Sequence, residues 1–152
     1  MNNSQIKFCI GSSHIDLPQL QVLFQSTTFW AQNRRTEDLE TAIDNSEPVI
    51  SVWDGDRLIG FARATSDGIY RAMLWDVVIH PTYQGRGLGR KLVETVLSHP
   101  RIRRVERVLL TTTNQREFYE RMGFEAMTTS TTMMLSKSSV VKPERVAIEI
   151  TH

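Results

Sequence analysis

Three glycines at alternate positions, in Gln84-Gly85-Arg86-Gly87-Leu88-Gly89, stand between a strand-like apolar run over residues 74–79 and a helical run over residues 88–98. Glycine has no Cβ, so such a backbone can curl tightly and point consecutive N–H groups inward at anion oxygens. The helix that follows turns its positive end toward the same place. Pro81 lacks an N–H and holds His80 extended, so the strand is expected to stop at Ile79. The order strand, loop, helix reads as a pyrophosphate cradle. Two common nucleotide loops do not fit it. A dinucleotide fingerprint needs G-x-G-x-x-G; this chain has G-x-G-x-G, one residue short between its second and third glycines. A Walker A loop needs Lys and then Ser or Thr after its last glycine, whereas Gly89 leads to Arg90, Lys91 and Leu92.

The rest of the chain predicts a mixed α/β organisation. At 152 residues and 40% hydrophobic content, there is material for one core and no room for a second domain, so residues 1–152 are expected to form a single domain. Ile6, Phe8 and Ile10 alternate with polar neighbours as a half-buried strand does. Asp16 can cap a helix with Pro18 in its first turn and Leu17, Leu20, Val22, Leu23 and Phe24 on its apolar face; a second helix is expected over residues 36–45. Residues 49–53 and 57–64 flank Asp54-Gly55-Asp56, a strong hairpin signal. Further strands are expected over residues 72–79, 105–112 and 124–135, the last after a short helix at Tyr119. In the tail, residues 136–152, Val146, Ile148 and Ile150 alternate, as an edge strand or one reaching across to a second copy in a homodimer would.

Composition excludes several classes of function. A net charge of +1 gives no global field toward nucleic acid or an anionic membrane. Arg101, Arg103, Arg104 and Arg107 read first as a solvated strand entry, and Arg34-Arg35 as a solvated loop pair. Cys9 is the single cysteine, which excludes an intramolecular disulfide and a cysteine-rich zinc site. His14, His80, His99 and His152 lack metal-ligand spacing, so no metal is expected. With no apolar run of about 18 residues and no leader pattern, the expected location is cytoplasmic.

The loop resembles the Q/R-x-x-G-x-G/A signature of the GNAT superfamily of acyl-CoA-dependent N-acetyltransferases. The resemblance takes in the preceding strand, the helix with Leu92, Val93, Val96 and Leu97, and Phe118-Tyr119-Glu120-Arg121-Met122-Gly123-Phe124, which looks like the family's F-Y-x-x-x-G-F element. Residues 58–67 and 74–85 are further similar to the plastid-type plant and cyanobacterial serotonin N-acetyltransferases. This implies a GNAT-like, strongly twisted, largely antiparallel mixed sheet with helices on both faces, acetyl-CoA as cosubstrate and no metal. It also implies a small-molecule amine acceptor such as serotonin or tryptamine, with a protein lysine or N-terminal amine, or a non-catalytic acyl-CoA sensor, as alternatives.

The resemblance assigns roles residue by residue. Backbone at Val77, Val78 and Ile79 would pair with the pantetheine arm, and Gln84, Gly85, Arg86, Gly87, Leu88, Gly89 and Arg90 would hold the pyrophosphate. Tyr119 stands where the family has a tyrosine facing the coenzyme sulfur. A phenol near pKa 10 is a weaker acid than a thiol near about 8.5, so hydrogen bonding the departing thiolate is easier than protonating it outright. Asn114 resembles the family's asparagine but lies closer to Tyr119 than is usual, and Thr112 is the other candidate. Met73 and Trp75 occupy the places of a glutamate or histidine pair found in other members, which leaves Asp76, in an otherwise apolar strand, either as the base or as a structural acceptor of backbone or arginine hydrogen bonds. Trp75 and Tyr83 are candidate substrate contacts, with a surface aromatic as the plainer reading of Tyr83.

Overall fold

A computed structural model of the chain describes residue 3 and residues 5–137. The described chain divides into two compact units, one up to Thr113 and one from Asn114.

The first unit carries the sheet. In chain order it contains β1 (Ile6–Ile10), α1 (Leu17–Thr27), α2 (Thr36–Asp44), β2 (Val49–Asp54), β3 (Arg57–Ser66), β4 (Arg71–Ile79), a 3-10 turn (Pro81–Tyr83), α3 (Leu88–Ser98) and β5 (Arg107–Leu109). The strands lie in the order β1-β2-β3-β4-β5, antiparallel except for the parallel pair β4 and β5. Gly55 takes positive φ at the first of two turn residues joining β2 to β3, the position where a type II′ hairpin needs glycine.

The helices form for the local reasons the sequence gives. Asp16 accepts the Gln19 N–H at the start of α1 and so satisfies an otherwise orphaned donor. Leu20, Leu23 and Phe24 on the buried face of α1 pack with Leu39 and Ile43 of α2 and with Val49, Leu58, Phe61 and Val78 of the sheet. Burying each such side chain contributes about 1.5–3 kcal/mol. Strand alternation sends Ile50 and Ile79 to the opposite face from Val49 and Val78, and there α3, through Leu92, Val93 and Val96, meets β2, β3 and β4. The helices therefore cover both faces, as expected.

The second unit contains α4 (Arg116–Glu120). The Phe124 N–H reaches the Tyr119 carbonyl at 3.1 Å and the Gly123 N–H that of Glu120 at 3.0 Å, with Gly123 at φ 99°. These are the two bonds of a Schellman closure, whose αL residue is almost always glycine. Its usual apolar contact is the Tyr119 ring against Phe124, 5.6 Å between centroids. The F-Y-x-x-x-G-F element is thus a helix stop that fixes the Tyr119 ring.

Two strand expectations are corrected. The strand expected over residues 105–112 is only Arg107–Leu109, because its pairing with β4 is confined to Arg71, Ala72 and Met73. None forms over residues 124–135: the stretch is largely exposed and has no ladder partner among the described residues, and high β-propensity alone does not hold a strand. The expected edge or swapped strand at Val146, Ile148 and Ile150 lies outside the described residues.

Candidate active site

The loop after β4 has the conformation that its glycines predict. Gly85 and Gly87 take φ 78° and 79°, and a Cβ built on either would meet nothing within 4 Å. The loop therefore presents bare backbone to open space, the shape that admits a phosphate group. Gly87 is the N-cap of α3, no side chain caps that end, and no acidic residue lies in the first turn. The N–H groups of Leu88, Gly89 and Arg90 point out of a positive helix end. Arg90 is exposed and pairs with Glu94 at 3.7 Å, while Leu88 is buried and anchors the helix start. The residues present fit a coenzyme pyrophosphate.

The loop is tied down from three sides. Gln84 Nε2 donates to the Ile79 carbonyl at 2.9 Å. Asn3 Nδ2 donates to the Arg86 carbonyl at 3.1 Å, a contact with no signal in the sequence. Tyr83 is 8% exposed, its hydroxyl donates to Asp54 Oδ2, and the guanidinium carbons of Arg57 and Arg86 lie 5.7 and 5.0 Å from its ring centroid. The hydrogen bond to Asp54 raises the Tyr83 phenol above its ordinary value. The plainer reading of Tyr83 as a surface aromatic is therefore corrected: a ring with one polar end buries its body when a carboxylate meets that end.

Beside the loop, β4 offers an edge. Pairing with β5 ends at Met73, so from Leu74 to Ile79 no strand among the described residues pairs with that side of β4. Val77, partly buried, and Val78 and Ile79, both buried, lie on this stretch, where backbone groups are available to an extended ligand. Thr112 is exposed and lies beyond the end of β5.

Asp76 is the irregular residue of β4. The ladder to β3 slips between Phe61 and Arg63, and Asp76 takes φ 56°, the only non-glycine positive φ among the described residues. This is a bulge, and a short polar side chain is the kind that tolerates αL. The Asp76 side chain is 4% exposed, and its Oδ2 accepts from Arg63 Nε at 2.8 Å and Arg34 Nη1 at 2.9 Å. Arg34 also lies over the rings of Phe24 and Trp30 at 5.3 and 5.2 Å, and Arg63 over Trp75 at 5.6 Å. Trp75 Nε1 donates to Thr65 Oγ1 at 2.8 Å.

Arg34 is thus not half of a solvated pair; only Arg35 is, with exposed Glu37 and Asp38. A carboxylate in an apolar strand requires partners, and that requirement was the only signal for the triad in the sequence. Of the two roles weighed for Asp76, the geometry favours the structural one: it ties the loop between α1 and α2 to the bulge. Asp76→Asn keeps the αL-tolerant shape but leaves two guanidiniums unopposed, at an expected cost of about 2–4 kcal/mol, below the range for fully buried pairs because Arg34 is 34% exposed. Thermal unfolding should then fall by about 4–16 °C. An unchanged midpoint with lost activity would restore the base role.

Tyr119 and Asn114 belong to the second unit. Asn114 is exposed. The Tyr119 ring packs edge-on against Phe118 and Phe124, and burial pushes its phenol up to about 12. Against a thiol near 8.5, outright proton donation then runs uphill by on the order of 5 kcal/mol, so hydrogen-bond donation is the step this hydroxyl can perform.

The sequence profile of the acetyltransferase (GNAT) family matches residues 17–124. The chain belongs to this family. Members use acetyl-CoA as cosubstrate, in keeping with the cradle. A GNAT-family putative acetyltransferase from Xanthomonas campestris superposes with a TM-score of 0.73 at 29% identity, covering 80% of this chain and 85% of that one. An uncharacterized ycf52-like N-acetyltransferase of Prochlorococcus marinus is 41% identical over 72% of this chain and 62% of its own length. The histone acetyltransferase TAP1 of Glycine max is 37% identical over 80% of this chain and 57% of its own. The chloroplastic serotonin N-acetyltransferase 2 of Oryza sativa is 35% identical over 66% and 51%. Against these three relatives, the GNAT chain spans between half and two thirds of their length.

Proposed function

We propose that this chain transfers an acetyl group from acetyl-CoA to a primary amine, with an arylalkylamine such as serotonin or tryptamine as the leading acceptor. The observation that carries the reading is the glycine loop: bare backbone at Gly85 and Gly87 facing open space at the uncapped start of α3. The free amine attacks the thioester carbonyl, a C–N bond forms, the surplus proton on nitrogen passes to water, the C–S bond breaks, and the thiolate leaves with the hydrogen bond that the family resemblance assigns to Tyr119. No acyl-enzyme is invoked, because Cys9 lies on β1, separated from β4 by β2 and β3.

The aryl preference rests on Phe29 and Trp30, 75% and 49% exposed on the loop that Arg34 ties to Asp76, and on the name of the rice relative. The triad of Arg34, Arg63 and Asp76 carries one more positive than negative charge and so does not draw in an ammonium; the acceptor reacts as the free amine. The name of the soybean relative favours a second reading, a protein lysine acceptor. A panel of tryptamine, serotonin and lysine peptides, followed by thiol release, separates the two. Tryptamine and serotonin should exceed the peptides in kcat/KM by at least about tenfold, and peptides winning by that margin would reject the aryl assignment.

A further inference from the structure

Asn3 stands ahead of β1 and reaches the glycine loop from outside it. Its carbonyl accepts the Ile6 N–H at 3.0 Å, which fixes it at the entry to the strand. On β1, the Phe8 ring faces Lys91 of α3, with the ammonium 4.7 Å from the ring centroid, so the strand runs beside the first turns of that helix. The same crossing brings Asn3 Nδ2 to the Arg86 carbonyl at 3.1 Å, across 83 positions of sequence. Asn3 lies before residues 17–124, where the family profile matches, so the family match assigns it nothing.

The Arg86 carbonyl and the Gly87 N–H share one trans peptide unit and therefore point in opposite directions. With its carbonyl drawn to Asn3, this unit turns the Gly87 N–H to the other side, where it has no acceptor among the described residues. It stands directly ahead of the Leu88, Gly89 and Arg90 N–H groups at the start of α3. Gly87 has no side chain to pack, and a Cβ there would meet nothing within 4 Å, so packing at that residue does not hold the peptide plane. The Asn3 amide does.

The other half of that amide is unsatisfied. Asn3 Oδ1 is buried and has no hydrogen-bond partner among the described residues. A buried acceptor left unpaired costs about as much as one hydrogen bond supplies, so the two halves of the amide nearly cancel in stability. What remains is the direction in which Asn3 holds the Arg86 carbonyl.

We propose that Asn3 is a positioning residue for the coenzyme: it holds the Arg86 carbonyl and thereby aims the Gly87 N–H at the pyrophosphate. The proposal rests on the reading of the loop as a coenzyme cradle. A donor that is already aimed loses less freedom when the anion arrives, which is the gain that pre-organisation provides.

Asn3→Leu tests it, because leucine has nearly the shape of asparagine but neither the donor nor the unpaired acceptor. The thermal midpoint should stay within about 2 °C of wild type. In titrations of the full chain, acetyl-CoA should bind the variant about three- to tenfold more weakly, while acetyl-pantetheine, which lacks the pyrophosphate, should bind both proteins alike. By amide NMR, the shift of the Gly87 N–H at acetyl-CoA saturation should be smaller in the variant. Undiminished acetyl-CoA affinity in Asn3→Leu would overturn the role, and so would an equal loss for both ligands, which is the mark of packing alone. A wild type that binds acetyl-CoA no more tightly than acetyl-pantetheine would instead overturn the cradle itself, and with it anything for Asn3 to position.

Discussion

Gly87→Val should abolish acetyl-CoA binding. The residue caps α3 with φ 79°, where a side chain other than glycine costs about 1–2 kcal/mol, and the Cβ would enter the open space that the loop presents. Those two effects separate experimentally. The strain lowers stability by an amount that a well-packed domain survives, whereas the intrusion acts only on the ligand. Acetyl-pantetheine, which lacks the pyrophosphate, should bind wild type more weakly than acetyl-CoA does, and Gly87→Val should erase the difference between them. Gly87→Ala, with a smaller side chain at the same φ, should retain the fold while binding acetyl-CoA at least about tenfold more weakly. Unchanged affinity by calorimetry in a folded variant would remove the cradle from this loop.

Tyr119→Phe should lower kcat by about ten- to a thousandfold with acetyl-CoA affinity little altered. The ring that closes the α4 stop against Phe124 is retained, and only the hydroxyl is lost. Because burial raises that phenol to about 12, it stays protonated throughout the pH range of ordinary assays, so the wild-type rate should show no fall from Tyr119 ionisation below about pH 10. Unaltered kcat, with chemistry rate-limiting, would leave Tyr119 as packing alone.

What was legible in the sequence was whatever depends on neighbours along the chain. The positive-φ glycine loop, the Asp16 cap, the Gly55 turn and the strand stop before Pro81 each follow from dihedral preferences of a few consecutive residues, and each formed where expected. What was hidden depends on residues brought together from afar. Asp76 announced that it needed partners, but Arg34 is 42 positions away and reaches it only because α1 and α2 fold back over the sheet. The αL bulge at Asp76 is set by the slip between β3 and β4, which no local rule predicts. Tyr83 looked like a surface ring until Asp54, 29 positions away, met its hydroxyl. Residues 124–135 carry β-branched threonines, yet a strand needs a ladder partner, and pattern alone does not supply one.

The most direct test of the account combines the chain with acetyl-CoA and tryptamine and quantifies both products by mass spectrometry. N-acetyltryptamine and free CoA should accumulate in equal amounts, only when both substrates are present, and not with Gly87→Val. Tight acetyl-CoA binding with no acetylated product from tryptamine, serotonin or lysine peptides would contradict an acetyltransferase and leave an acyl-CoA sensor in its place.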